Sequence, residues 1–230
     1  MRRFDLDYER KVTSQNGEDG ILEYLIPFIK AKTFVEIGWA DGLENNCRNL
    51  LENHNFVGHG VDMKKPRVKH PNLTHVSMKV DLKSIDEIIN MQGKEPGVFS
   101  LDIDSIDYHV LKALLEKDFR PEIIVHEYNS VLGPDRKAVR VYGAPTNTKN
   151  LYGASLPAYK DLLAPYYTFV TVNTEGVNAF YVRSDIEFTM PHQTFEWRRI
   201  SDMYGAGKRY NAFQKTINTP GLENGGWIDL

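Results

Sequence analysis

The strongest constraint on the fold is a rhythm of short apolar runs that close on glycine or acidic residues and alternate with segments of helical spacing. TFVEIG (33–38), FVGHGVD (56–62), THVSM (74–78), the run Val98–Ile103 and EIIVHEY (122–128) read as five strands. DGILEYLIPFIK (19–30), Glu44–His54, Leu82–Met91, Tyr108–Lys117 and Leu156–Leu163 read as helices, with Ser84 and Glu87 spaced as a capping box for the third. YTFVTV (167–172) and NAFYVR (178–183) are two further strands joined by the turn-like NTEG. A parallel crossover needs about a dozen residues, so this last pair must be antiparallel. The expected fold is α/β: a seven-stranded, mostly parallel sheet with helices on both faces and an antiparallel final hairpin.

A chain of 230 residues with 41% hydrophobic and 26% charged content fits one substantial core with extensions. Residues 1–185 read as one α/β domain with an N-terminal helical cover. Residues 186–230 read as an extension, a lid or an oligomerisation arm that would make a homo-oligomer, with Phe195, Trp197, Tyr204, Tyr210 and Phe213 among basic residues. The formal charge of -3 gives no signal for nucleic acid, which calls for a concentrated positive face. The basic groups at Lys64, Lys65, Arg67 and Lys69 read as solvated surface. Cys47 is the single cysteine; it reads as a packing residue in a reducing compartment. No apolar run is long enough to span a bilayer, and no hydrophobic region follows MRRFDLDYERK, so a cytoplasmic location is expected.

Ligands of an open parallel sheet bind outside the carboxyl ends of its strands. At the first strand end stands EIGWADG, where Gly38 and Gly42 let backbone approach a ligand and Glu36 either receives a ligand amine or orients the loop. The spacing is not that of a dinucleotide fingerprint. Asp62, ending the second strand, suits the hydroxyls of a ribose. At the fourth, FSLDIDSIDYHV places Asp102, Asp104 and Asp107 within six residues. With Glu127 and Asn129 from the fifth strand end, Asp102 and Asp104 form an oxygen-rich set suited to Mg²⁺ or Mn²⁺. The alternative makes Asp102 a loop-organising acceptor, Asp104 a substrate contact and Asp107 a helix cap. Asp104 is the preferred general base because it stands on a strand-end loop. His126 is a second candidate, although strand alternation turns it away from its neighbours and into the core. Tyr128, Asn129, Tyr152 and Ser155 offer hydroxyl and amide groups to a polar acceptor.

These segments together resemble the class I S-adenosylmethionine-dependent methyltransferases, and more closely the FkbM-related and sugar O-methyltransferase-like group. The resemblance rests on SQNGEDG (14–20), FVEIGWADG (34–42), LDIDSIDY (101–108), HEYNS (126–130) and YGASL (152–156), and extends over about residues 12–184. Ser105 departs from the glycine such relatives often carry. The resemblance implies a Rossmann-like sheet, a methionyl moiety beside Glu36, Gly38 and Gly42 with Asp102 at its edge, and ribose at Asp62. It further implies adenine near Asp81 and a covering role for Ser14 and Gln15. The implied activity is S-adenosylmethionine-dependent O-methyl transfer to a hydroxylated small molecule, a sugar or nucleotide-sugar, assisted by Mg²⁺ or Mn²⁺. A catalytically silent binding or assembly module, and an RNA methyltransferase, are the alternatives.

Overall fold

Five apolar runs form the parallel part of one sheet: β1 (Thr33–Ile37), β2 (Val57–Val61), β3 (Leu73–Val76), β4 (Val98–Leu101) and β5 (Ile123–Glu127). The computed structural model describes residues 6–144, 152–199 and 226–230. The hairpin β7 (Tyr167–Val172) and β8 (Asn178–Arg183) completes the seven strands in the order β3-β2-β1-β4-β5-β8-β7, with β8 antiparallel to both neighbours. This is the architecture expected from the spacing of the apolar runs. It differs from the doubly wound order 3-2-1-4-5-6 by the antiparallel strand inserted at one side.

β1, β4 and β5 are buried throughout or nearly so, as strands covered on both faces must be. On one face Phe34, Val98, Val125 and Phe180 pack against Ile21 and Leu22 of α1 (Glu18–Leu25) and Leu50 of α2 (Arg48–Asn53). On the other, Ile37, Phe99 and Ile124 pack under α3 (Ile85–Gln92), α4 (Asp107–Glu116) and α5 (Leu156–Leu163). Among the described residues no helix is long and apolar enough to cross a membrane.

Three local expectations need correction. α2 starts at Arg48, not Glu44, because the backbone N–H groups of Asn46 and Cys47 turn inward to the Glu36 carboxylate. Ser84 precedes α3 but makes no side-chain cap; its hydroxyl accepts from Asp81 N instead. A second, two-stranded ribbon also forms, in which β6 (Ala138–Arg140) pairs with β9 (Trp227–Asp229).

The described start of the C-terminal extension runs across the β7–β8 side. Phe195 N donates to Thr171 Oγ1, Val172 N donates to Phe195 O, and Phe195 and Trp197 pack on the core. Tyr204, Tyr210 and Phe213 lie outside the described residues.

Candidate functional site

From β1 the chain proceeds to β2 and β3 on one side; β4 and β5 then lie on the other, so the switch in direction falls between β1 and β4. The first residues beyond those two strands, Gly38 and Asp102, are in contact. Gly38 has φ +93°, and a Cβ there would sit 1.7 Å from the Asp102 carbonyl oxygen, so no other residue fits. Asp102 N donates to Ile37 O at 3.0 Å, and Gly38 N and Trp39 N both donate to Val61 O. Trp39 is buried and stacks on Phe34 with ring centroids 6.0 Å apart. The bare α-carbons of Gly58 and Gly60 in β2 make room for those two rings. A cavity of about 630 Å³ opens above this junction, lined by Gln15, Gly38, Asp41, Glu44, Asp102 and Asp104 among others. That volume is within the range of small-molecule sites. Among the described residues every charged side chain lining it is acidic, with Asp41 and Glu44 paired to Arg67 and Lys11.

Asp107 builds the loop that carries the acids. Its Oδ1 accepts from Ile103 N at 2.8 Å and its Oδ2 from Ser105 N at 2.9 Å, while Asp104 between them takes a left-handed φ of +53°. Asp107 is thus a loop brace rather than a side-chain cap. Asp102, Asp104 and Glu127 bring one carboxylate oxygen each to within 4.8 Å of one another. Burial, followed by the negative charges of Asp104 and Asp107, pushes the Asp102 carboxyl well above the usual carboxylate range. Burial and the Asp102 charge push Glu127 up as well. The two carboxyls lie side by side, so one of them keeps a proton when nothing else neutralises the pair. The Oε2 atom of Glu127 has no partner among the described residues. Three converging oxygens fit a hard divalent cation.

Of the other expected site residues, Gln15 reaches the cavity, whereas several are committed elsewhere. His126 is fully buried on the opposite face, its ring 3.9 Å from that of Tyr159 and stacked on Tyr181 at 5.4 Å. Burial lowers its pKa to about 4, so it is a neutral core residue and no base for the cavity. Asn129 is engaged by the chain itself: its Oδ1 accepts from Val131 N at 3.2 Å and its Nδ2 donates to Tyr152 O at 3.3 Å. Ser155 caps α5, accepting from Ala158 N and Ala138 N, and is closed to a substrate. The Tyr128 hydroxyl donates to Arg198 O at 2.6 Å and so clasps the C-terminal segment. Tyr152, which follows residues outside the description, is largely buried.

The cofactor set divides in the same way. Glu36 orients the loop: it accepts from Asn46 N, Cys47 N and Asn45 Nδ2, and burial raises its pKa to about 7. Ser14 is buried and donates to Asp19, away from the cavity lining. Asp81 forms a turn by accepting from Lys83 N, and it does not line the cavity. Asp62 is not among the residues lining the cavity; it accepts from Ala40 N, which does line it, and from Lys64 N, and its carboxylate keeps further lone pairs for a ligand.

Sequence reasoning missed Asp41 and Glu44, although EIGWADG pointed to the loop that carries Asp41. It also missed a polar connection between α1 and β8. Glu18 Oε1 accepts from Asn173 Nδ2 at 2.9 Å and Asn178 Nδ2 at 2.8 Å. No signal within NAFYVR marks Asn178, because its partners lie on distant elements.

No family model matches the chain, and no curated protein does. Distant likenesses exist among solved structures. A provisional O-methyltransferase from Nostoc punctiforme is 11% identical with a TM-score of 0.45, over 70% of this chain and 54% of that one; the chain thus spans about half of that relative. A provisional O-methyltransferase from Klebsiella pneumoniae is 14% identical with a TM-score of 0.46, over 76% and 82%. The O-methyltransferase TomG from Streptomyces achromogenes, solved with S-adenosylmethionine, is 15% identical with a TM-score of 0.43, over 74% and 81%. Likeness at this level carries no argument about function.

Proposed function

We propose that this chain is an S-adenosylmethionine-dependent O-methyltransferase acting on a small molecule with adjacent hydroxyls, a sugar or nucleotide-sugar. The observation that carries the reading is the acid-lined cavity at the switch between β1 and β4. An all-acidic lining favours a ligand with a permanent cationic centre, and a sulfonium is one. Gly38, which no side chain could replace, lets backbone form the cavity floor, and Gln15 closes it from the α1 side. Asp62 is assigned to the ribose and Asp102 to the edge of the cofactor site. When bound, the cofactor supplies an already activated methyl group, so the chain's own work is alignment and removal of the acceptor proton.

Asp104 is the general base in this reading: it is exposed, lines the cavity and stands on a loop fixed by Asp107. Asp102, Asp104 and Glu127 would hold a divalent cation through one oxygen each, and such an ion lowers the pKa of a coordinated hydroxyl. Three protein oxygens leave coordination positions for a vicinal diol.

Calorimetric titration with S-adenosylmethionine, S-adenosylhomocysteine, NAD and ATP tests the cofactor. Saturable binding of the two sulfur nucleosides is expected, weakened about tenfold or more by Asp62→Asn through loss of a charge-assisted acceptor. A preference for NAD or ATP, or no saturable binding of any of the four, overturns the assignment.

A further inference from the structure

We propose that Asn178 supplies a fourth, neutral oxygen to the cation site of Asp102, Asp104 and Glu127, and that Glu18 is the positioning residue that orients it. The inference rests on the cation reading above and names residues that neither the motifs nor the acid cluster itself identifies.

Strand register brings Asn178 to the site. Glu127 lies directly opposite Asn178 in the antiparallel β5–β8 pair. Leu101 lies opposite His126 in the parallel β4–β5 pair, so Asp102 and Glu127, one residue further along, are also neighbours. Asp102, Glu127 and Asn178 therefore project from the same face at the same end of three adjacent strands. Directly opposed antiparallel residues have Cβ atoms about 4.5–5.5 Å apart, within reach of a shared ion.

The hydrogen-bond account is incomplete without a ligand. Asn178 is 4% exposed, and its Nδ2 is committed to Glu18 Oε1. That commitment assigns the amide's two ends and leaves Oδ1, which has no partner among the described residues. Glu127 Oε2, on the neighbouring strand, also has none. With Glu127 ionised, as cation binding requires, two buried acceptors side by side cannot satisfy each other, and buried oxygens without partners are uncommon. A hard cation satisfies both at once. A neutral amide adds a ligand without adding a fourth negative charge to a cluster that already repels itself. Asn129, the amide expected in this role, has its oxygen engaged by Val131 N.

The test uses the full chain and Mn²⁺ as probe, followed by calorimetry and electron paramagnetic resonance, with circular dichroism to confirm folding. Saturable Mn²⁺ binding is expected in the wild type and is lost in Glu127→Gln. Asn178→Ala weakens it about tenfold, and Glu18→Gln, which frees the amide to turn over, weakens it by a similar factor. Asn178→Asp retains binding. With asparagine labelled by ¹³C at the side-chain carbonyl, a hyperfine coupling to Mn²⁺ appears in the wild type and disappears in Asn178→Asp, a readout that a purely structural amide would not move. Wild-type-like Mn²⁺ affinity in Asn178→Ala, or no labelled-asparagine coupling, overturns the role of Asn178 while the three-acid site stands. No Mn²⁺ binding in the wild type overturns both.

Discussion

Asp19 is a buried acid and Asp102–Glu127 a half-buried to buried pair, and their surroundings are opposite. One oxygen of Asp19 accepts from Val12 N, Thr13 N, Ser14 N and Ser14 Oγ, each at 2.7 Å, while the other accepts from Thr13 Oγ1 at 3.1 Å. Asp102 and Glu127 face each other and Asp104, with one oxygen of each of the three within 4.8 Å of the others. Donors surround the first acid; acceptors surround the others. A carboxylate saturated by its own chain organises structure, whereas carboxylates left facing one another are organised for something that arrives later. SQNGEDG and LDID both look acid-rich in the sequence, and only this local count of donors separates their roles.

Asp19→Asn tests the saturated side and has the largest expected effect. One carboxylate oxygen is replaced by an NH₂ group and the charge that four donors share is lost; hydrogen bonds to a charged group are worth about 1.5–3 kcal/mol each. The urea midpoint should fall by the equivalent of about 3 kcal/mol. A loss below about 0.5 kcal/mol would dissolve the contrast.

Glu36 is the intermediate case, buried yet supplied with three donors, and it gives a pH test. Its pKa rises from 4.5 unfolded to about 7 folded. Below pH 4.5 both states hold the proton and ionisation costs nothing. Between pH 4.5 and 7 the unfolded chain ionises first, so stability falls as pH rises, and above 7 the loss is constant. Glu36→Gln should flatten this decline by about 2 kcal/mol between pH 5 and 8, read from denaturation midpoints. An unchanged slope would place Glu36 with Asp19.

For the unsaturated pair, Glu127→Gln in metal-free buffer at pH 8 should leave stability unchanged or raise it by up to about 1 kcal/mol, because the amide takes the place of a carboxyl already held protonated and donates to Asp102 as it does. A loss comparable to that of Asp19→Asn would make Glu127 a structural acid. The smallest expected effect is at Ser84→Ala, within about 0.5 kcal/mol, since the hydroxyl caps no helix.

The sheet was legible because its strands are built on runs such as Ile123, Ile124 and Val125 in EIIVHEY, apolar and buried on both faces. The hairpin was legible because NTEG is too short for any other connection. By sequence His126 is a candidate base with a core residue as the alternative, and only its packing between Tyr159 and Tyr181 assigns it to the core. What stayed hidden was non-local. Ala138–Arg140 is three residues long, and its partner Trp227–Asp229 lies far along the chain. Asn45 to Cys47 carry no visible reason to leave a helix until Glu36 is placed beneath them. Asn178 reads as an ordinary strand opener until register sets it beside Glu127. Strand ends located the site, but which side chains were already engaged by other parts of the chain could not be read from spacing.

The brace at Asp107 carries a consequence for the timing of ligand capture. Because Ile103 N and Ser105 N are tied to one carboxylate, the loop bearing Asp102 and Asp104 is ordered before any ligand arrives. On the cation reading proposed above, an incoming ion would meet a formed receptor and sacrifice little chain entropy on entry. Its association should follow a single phase whose rate rises linearly with ion concentration, without the plateau that a slow rearrangement of the loop would impose.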